Sequence, residues 1–433
     1  MKLLNYEKLI FLKPLFTAIL FASFIYLEYF EIPKNHFFYL ISSIISIISL
    51  YFLFNLTKKE LAFFGFFTGV LWFYWISLSF RYYDLVYLIP LIIAFLGVAY
   101  SLFFYFMGYF RSIWVKFFIF LAIAYLEPFG FNWFKPQIIN INSYFGTEFW
   151  QLIWITFIIV LILQIKDRFG SKSFLLLFLL IFSTNDFSEL IKETNHKIAT
   201  EEEINNLKVS IIETKVHQKD KWLLENEIPI VKMNLNLIRD AINQKKKIVV
   251  LPESTFPMFL NEYPQLIEHL KLLSHSITIW AGSLYNTEEN IFNSTYIFQN
   301  GKLEIAQKMV LVPFGEYLPL PKFIRDWINQ TFFDGANDFS TADKPVDIKI
   351  NNINFRHAIC YEATSSKLYE HDPKYMIVIS NNGWFVPSIE PTLQKILMQH
   401  YSNVHKTTIF HSANMQGSTI IKPQTEQKIA KIF

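Results

Sequence analysis

The first 183 residues of this 433-residue chain hold six long, predominantly apolar runs of membrane-spanning length, which no soluble fold accommodates. They cover roughly 9–30, 37–56, 61–80, 85–107, 112–130 and 149–165. A seventh run, Phe174–Phe182, is apolar throughout but short, and spans only with Gly170–Ser173 and Ser183–Phe187 lying in the interface. Lys2, Lys8 and Lys13 flank the first run; because further spans follow, it is a first helix and not a cleaved signal. Charged residues are 17% of the chain, against about a quarter in a soluble protein, and the deficit is confined to this half.

Loop charge sets the orientation. Alternating sides from the N-terminus places Lys2, Lys8, Lys13, Lys58, Lys59, Arg111, Lys116, Lys166, Arg168 and Lys172 together, and only Lys34, Arg81 and Lys135 opposite. The richer side belongs inside. With seven crossings, everything after about Thr184 lies outside, in the periplasm of a Gram-negative cell; with six it is cytoplasmic.

The composition then changes. Residues 184–208 are polar and read as a linker with some helical content, and 209–433 as a catalytic α/β domain behind a 1–183 transmembrane bundle. Strands are expected at Val209–Ile212, Ile248–Leu251, Ile277–Ala281 and Tyr375–Ser380. Hairpins are expected at Asn293–Phe298 with Leu303–Lys308 and at Ile348–Ile350 with Phe355–Ile359. Helices are expected at Trp222–Gln244, Gln265–Leu273 and Thr392–Lys406. Strands alternating with helices indicate a layered α/β domain.

A net charge of +3 without a basic, aromatic-laced stripe gives no footprint for nucleic acid. The lone cysteine, Cys360, excludes an intramolecular disulfide and a four-cysteine zinc site. His400, His405 and His411 are spaced by five and six, which does not align them as metal ligands on one helical face. Cys360 and His357, three apart on a strand, point to opposite faces and form no pair.

Three reactive residues remain, each at a strand end: Glu253 after IVVLP, Lys308 before MVLVPFGEYLP, and Cys360 after FRHAI. Singly, each has a commoner structural reading, as a rim acid, a surface lysine or a core cysteine. Together they suit acyl transfer. A thiolate is the reactive form of cysteine, so a carboxylate base must take the thiol proton. The tetrahedral oxyanion wants a fixed positive donor, which Lys308 supplies, with the backbone N–H of Tyr361 as a second.

These motifs resemble the apolipoprotein N-acyltransferases, membrane members of the nitrilase superfamily, over nearly the whole chain. The resemblance is carried by Leu251-Pro-Glu-Ser254, Lys308 through VPFGEYLP to Pro319, Ala358-Ile-Cys-Tyr-Glu362 and Ile379-Ser-Asn-Asn-Gly-Trp-Phe385. It implies a polytopic helical bundle bearing an αββα nitrilase-like sandwich on the outer face of the bacterial inner membrane, and hence the seventh crossing. It implies Glu253 as base, Lys308 as oxyanion stabiliser and Cys360 as nucleophile, with Glu316 positioning Lys308 and Tyr361 in support. Trp222, Asn293, Tyr361 and Glu362 match the family's substrate-side residues. The implied reaction moves an acyl chain from a phospholipid, through a thioester on Cys360, to the N-terminal amine of a diacylglyceryl-cysteine lipoprotein. It implies a monomer working without cofactor or metal.

The sequence departs from the family pattern at Asn382, where an Asp is usual, at Val386, where a Gly is usual, and at Glu213-Thr214, where Gly-Asn is usual. The Arg normal near Ile409 is absent. The chain stops at Phe433 with no counterpart to the usual C-terminal transmembrane helix. Lys322–Asp343, rich in aromatics, reads either as a lid over the acyl site or as a packed insertion. Two other functions fit parts of the pattern: a membrane-tethered carbon–nitrogen hydrolase with the same triad, and a non-enzymatic scaffold.

Overall fold

The computed structural model describes residues 2–184, 198–332 and 338–424. Six helical stretches among them are long and apolar enough to cross a membrane. They are built on α1 (Lys2–Tyr29), α2 (His36–Phe54), α3 (Lys58–Phe73) with its 3-10 extension Tyr74–Tyr82, α4 (Ile89–Met107), α5 (Ile113–Ile123) and α6 (Phe149–Phe169). In hydrocarbon every backbone polar group must be paired within the segment, which a continuous helix does. Side-chain caps start two of them: Asn35 accepts from the Phe38 amide, and Thr57 with Glu60 forms a capping box. Gly65 and Gly69 let α3 and α4 approach closely, since a Cβ at Gly65 would collide with the Tyr100 carbonyl.

The short seventh run takes an unusual form. At Gly170 (φ 55°) the chain reverses, and Gly170–Ser183 returns along α6 as a 14-residue 3-10 helix. Trp154 Nε1 donates to the Leu179 carbonyl at 2.9 Å, and Thr184 bridges Phe145, just ahead of α6. A 3-10 helix rises about 2.0 Å per residue, so these 14 residues reach about 28 Å, close to the ~30 Å hydrocarbon core. The run is short in residues but not in length.

The two ends of the bundle differ. At one, Lys13 bonds the Asn55 carbonyl and Lys116 the Leu56 carbonyl. At the other, Glu28 pairs with Lys34 at 2.7 Å and with Lys395 of the second domain at 3.2 Å. The α/β domain therefore sits on the end bearing Lys34, Arg81 and Lys135.

That domain runs α7 (Glu201–Asn206), β1 (Val209–Ile211), α8 (Gln218–Lys221), α9 (Leu224–Asn243), β2 (Ile248–Val250), β3 (Phe256–Phe259), α10 (Pro264–Leu273), β4 (Thr278–Asn286), β5 (Ile291–Gln299) and β6 (Lys302–Gln307). It continues through α11 (Lys322–Phe332), β7 (Asp347–Ile350), β8 (Ile353–Ile359), β9 (Tyr375–Asn381), α12 (Glu390–His405), β10 (Thr408–Asn414) and β11 (Thr419–Ile421). One sheet is ordered β1-β2-β4-β5-β6 with β3 beside β4, the other β11-β10-β9-β8-β7. In the first sheet β1, β2 and β4 run parallel and β5 and β6 add antiparallel; in the second β8, β9 and β10 run parallel between antiparallel β7 and β11. Period-two alternation splits each strand between two cores. Ile248, Val250, Trp280 and Ile297 face Phe355, Ile377, Ile379 and Phe410 between the sheets. Val249, Ile279 and Phe298 pack outward on Ile238 of α9 and Leu270 of α10, while Met376, Val378 and Ile409 pack on Met398 and Tyr401 of α12. The layers are thus αββα. Ile204 and Leu207 already belong to the inter-sheet core, so the packed domain begins before Val209, within the stretch that reads as linker.

The second domain docks on the 124–148 connection between α5 and α6. Trp133 Nε1 donates to Thr364 Oγ1 at 2.7 Å, and Tyr361 Oη donates to the Gly130 carbonyl at 2.9 Å. Phe131 and Trp133 stack on the Tyr361 ring. Ile389, Leu393 and Leu397 of α12 join the core of the bundle itself.

Candidate active site

Glu253, Lys308 and Cys360 converge from three strand ends. Glu253 follows β2 and is 7% exposed. Its Oε1 accepts from Asn293 Nδ2 at 2.7 Å, and its Oε2 from the Asn381 amide at 2.8 Å. Lys308 follows β6 and is 1% exposed; its Nζ meets Glu316 Oε1 at 2.9 Å and Oε2 at 2.8 Å. Burial opposes the ammonium, but Glu316, then Glu253 and Cys360, outweigh it and hold Lys308 charged well above the usual lysine range. Removing one partner of such a buried pair costs about 3–5 kcal/mol, because the other charge is left uncompensated. Glu316 is itself held by the Val312 amide at 2.8 Å, and Asn293 Nδ2 joins it to Glu253.

Cys360 ends β8 in the left-handed region, with φ 54°. That conformation costs a non-glycine residue roughly 1–2 kcal/mol and turns the half-buried side chain out of the sheet. Burial, then Glu253, pushes the thiol well above its ordinary range, with Lys308 pulling against them. The resting sulfur is a thiol, so its activation requires a base.

Glu362 is 1% exposed and all its capacity is taken internally. Oε1 accepts from the Ile359 amide at 2.7 Å, and Oε2 from the Met309 and Val310 amides at 2.8 and 3.1 Å. Burial moves this carboxyl up to about 7, against Lys308 and the three amides. It ties the turn at Cys360 to the segment leaving Lys308. Asn293 is likewise a bridge within the cluster. Tyr361, 2% exposed, faces the bundle connection rather than open solvent. Trp222 is not brought into the cluster: it ends α8, 44% exposed, beside exposed Leu223 and Leu224. Its neighbour Lys221 is buried, with Nζ 3.4 Å from the Glu253 carbonyl, and burial lowers it to about 8.

Sequence reasoning missed several members. The Asn381 amide holds Glu253. Gln394 Nε2 lies 3.6 Å from Cys360 Sγ and 3.4 Å from Ser380 Oγ. Glu390, 1% exposed at the start of α12, helps raise the Cys360 thiol and is itself raised by burial, then by Glu253. His357 bonds Thr295 across the inter-sheet core at 2.8 Å and is pushed down to about 3 by burial, so it stays neutral and serves no thiol. His400, His405 and His411 go to Thr147, Asp372 and Ser380 respectively, and among the described residues no cluster is placed to hold a metal. Of the aromatic segment 322–343, Lys322–Phe332 forms α11, with Phe323 and Trp327 exposed, and 333–337 lies outside the described residues.

The fold and cluster define a multi-pass membrane protein carrying an αββα domain with a buried carboxylate, ammonium and thiol at its bundle-facing rim. A sequence model described as the apolipoprotein N-acyltransferase integral membrane domain matches residues 7–185. The apolipoprotein N-acyltransferase of Wolinella succinogenes is 39% identical over 410 residues, covering 94% of this chain and 95% of that one. That of Campylobacter jejuni is 34% identical, covering 98% and 92%. The chain belongs to the apolipoprotein N-acyltransferase family and is an acyltransferase. Among solved structures, an amidase of the nitrilase superfamily from Nesterenkonia aligns with TM-score 0.38 and 10% identity, covering 50% of this chain and 82% of that one.

Proposed function

We propose that the protein acylates lipoproteins in two steps through Cys360. In the first, Glu253 takes the thiol proton and the sulfur attacks an ester carbonyl of a phospholipid. Lys308 stabilises the oxyanion, together with the Tyr361 amide. The C–O bond breaks, the proton passes from Glu253 to the departing alkoxide, and a lysophospholipid leaves. In the second step the N-terminal amine of a diacylglyceryl-cysteine protein attacks the thioester, and Cys360 is released. Glu316 and Asn293 position Lys308 and Glu253, and Glu362 fixes the nucleophile turn. Exposed Trp222, Leu223 and Leu224 offer an apolar surface to a substrate's chains.

One observation carries this reading over that of a tethered hydrolase. Tyr361, adjacent to the nucleophile, is clamped by Phe131, Trp133 and Gly130 of the bundle connection. A tether needs no such contact, whereas a site fed from the bilayer does. The positive-poor end of the bundle then faces outward, the 3-10 helix Gly170–Ser183 makes the seventh crossing, and the sandwich lies on the periplasmic side of the inner membrane.

The test gives purified protein phosphatidylethanolamine and a diacylglyceryl-cysteine peptide. The expected products are an N-acylated peptide and an equal amount of lysophospholipid. Hydrolysis of small amides without any acylated peptide would establish the hydrolase reading instead.

A further inference from the structure

Proton counting exposes a requirement that Glu253 does not meet alone. Forming the thioester is proton-neutral, since Glu253 returns to the leaving alkoxide the proton it took from sulfur. Aminolysis is not. An α-amine has a pKa of about 7.7–8.0, so near neutrality it arrives largely as an ammonium. One proton must leave before its lone pair can attack the thioester carbonyl. A second, shed as the C–N bond forms, travels through Glu253 to the sulfur as the C–S bond breaks. The first proton needs another base.

We infer that Glu390 is that base: its carboxylate docks the acceptor's ammonium beside the Cys360 thioester and takes the first proton. The inference rests on the two-step reading above. Glu390 is 1% exposed, and its Oε2 is buried without a hydrogen-bond partner. Such an atom calls for an occupant. Glu390 lies four residues before Gln394, on the same face of α12, and the Gln394 amide touches Cys360 Sγ at 3.6 Å. The adjacent Ile389, with Leu393, is packed into the bundle core, which places Glu390 on the membrane-facing side of α12.

The charged surroundings agree. Burial, then Glu253, raises the Glu390 carboxyl to about 8, so below that pH the free carboxyl keeps a proton that the docking ammonium must expel to solvent. On the elements packed against α12, the titratable groups are Cys360, Tyr361 and Glu362, then Tyr26, Glu28 and Tyr29 at the near end of α1. His411 of β10, Lys367 and Tyr369 after Thr364, and Tyr74, which hydrogen-bonds the Ile389 backbone, join them, and Glu253 and Lys308 lie across the site. Glu28 is already committed to Lys34 and Lys395. A docked ammonium lowers the carboxyl's hold on its own proton, so the pair shares one proton between them.

The test loads full-length wild type and Glu390→Gln with an acyl chain from phosphatidylethanolamine, then follows single-turnover transfer to a diacylglyceryl-cysteine peptide from pH 6 to pH 9. Transfer is read per acyl-Cys360 formed, so that a change in loading drops out. With the peptide saturating, transfer at pH 6 is expected to be about 50-fold slower in Glu390→Gln, because there only the neutral fraction of the bound amine reacts, whereas the docked wild-type pair keeps its single proton. The gap should close to within about threefold at pH 9. A deficit equal at all pH values, no deficit, or loss of acyl-enzyme in a folded variant would overturn the inference. Should Glu390→Gln not fold, Glu390→Asp carries the test. It is expected to keep the wild-type profile shape, and a profile tracking the free-amine fraction would overturn the inference. No acyl adduct on the wild type would refute the two-step reading itself, whatever Glu390 does.

Discussion

Gly282 shows how tightly Glu253 is held. A Cβ there would lie 2.6 Å from the Glu253 Cα and 2.7 Å from the Ser254 amide nitrogen, so even alanine must push the loop carrying the base. A catalytic group displaced by about 1 Å can cost on the order of 100-fold in rate. Gly282→Ala is therefore expected to slow acylation of Cys360 by about 10- to 100-fold, measured by rapid quench with labelled phospholipid; an unchanged rate would mean that the Glu253 position does not matter. Glu253, Lys308 and Cys360 were legible as a group because each follows a strand-like stretch, IVVLP, LEIAQ and FRHAI. Asn381, Gln394 and Glu390 were not. In sequence they look like an ordinary strand end and an ordinary helix, and only the approach of α12 to the turn at Cys360 gives them a role. Glu362 had the converse history. Its motif was legible, but that its carboxylate is spent on three backbone amides depends on how the chain after Lys308 folds back.

Among the elements, the apolar runs announced the bundle, and both hairpins and the helices after β1 stand close to their expected bounds. The misses have physical causes. β3 is four residues long and pairs irregularly with β4. β10, Thr408–Asn414, mixes His, Ser and Asn among apolar residues, yet all seven are buried because the sheet is covered on both faces. The run after α6 forms 14 residues of 3-10 helix, which at about 2.0 Å per residue reaches further than the same count at the α-helical rise of about 1.5 Å. Its crossing can be checked in a Cys360→Ser background. Glu201→Cys is expected to react with a membrane-impermeant maleimide in spheroplasts, and Ser171→Cys only after permeabilisation. Both residues labelling from the same side would contradict a seventh crossing.

In the whole molecule, the two halves share one site. The α/β domain supplies base, ammonium and thiol, while the bundle connection holds Tyr361 and the bundle core holds Ile389 and Leu393. The turn at Cys360 is thus gripped from the membrane side, as the proposed transfer between two substrates that both carry acyl chains requires. In the proposed two-step reaction a protonated resting thiol makes acylation depend on Glu253 and on an ester delivered from the lipid phase. The central claim is that Cys360 carries the acyl group. Intact-protein mass spectrometry after exposure to phosphatidylethanolamine tests it directly. The account predicts a mass increase of one acyl chain on the wild type, removable by hydroxylamine and absent from folded Cys360→Ser. Acylated peptide produced by Cys360→Ser at the wild-type rate, or an adduct on the wild type mapping to another residue, would contradict it.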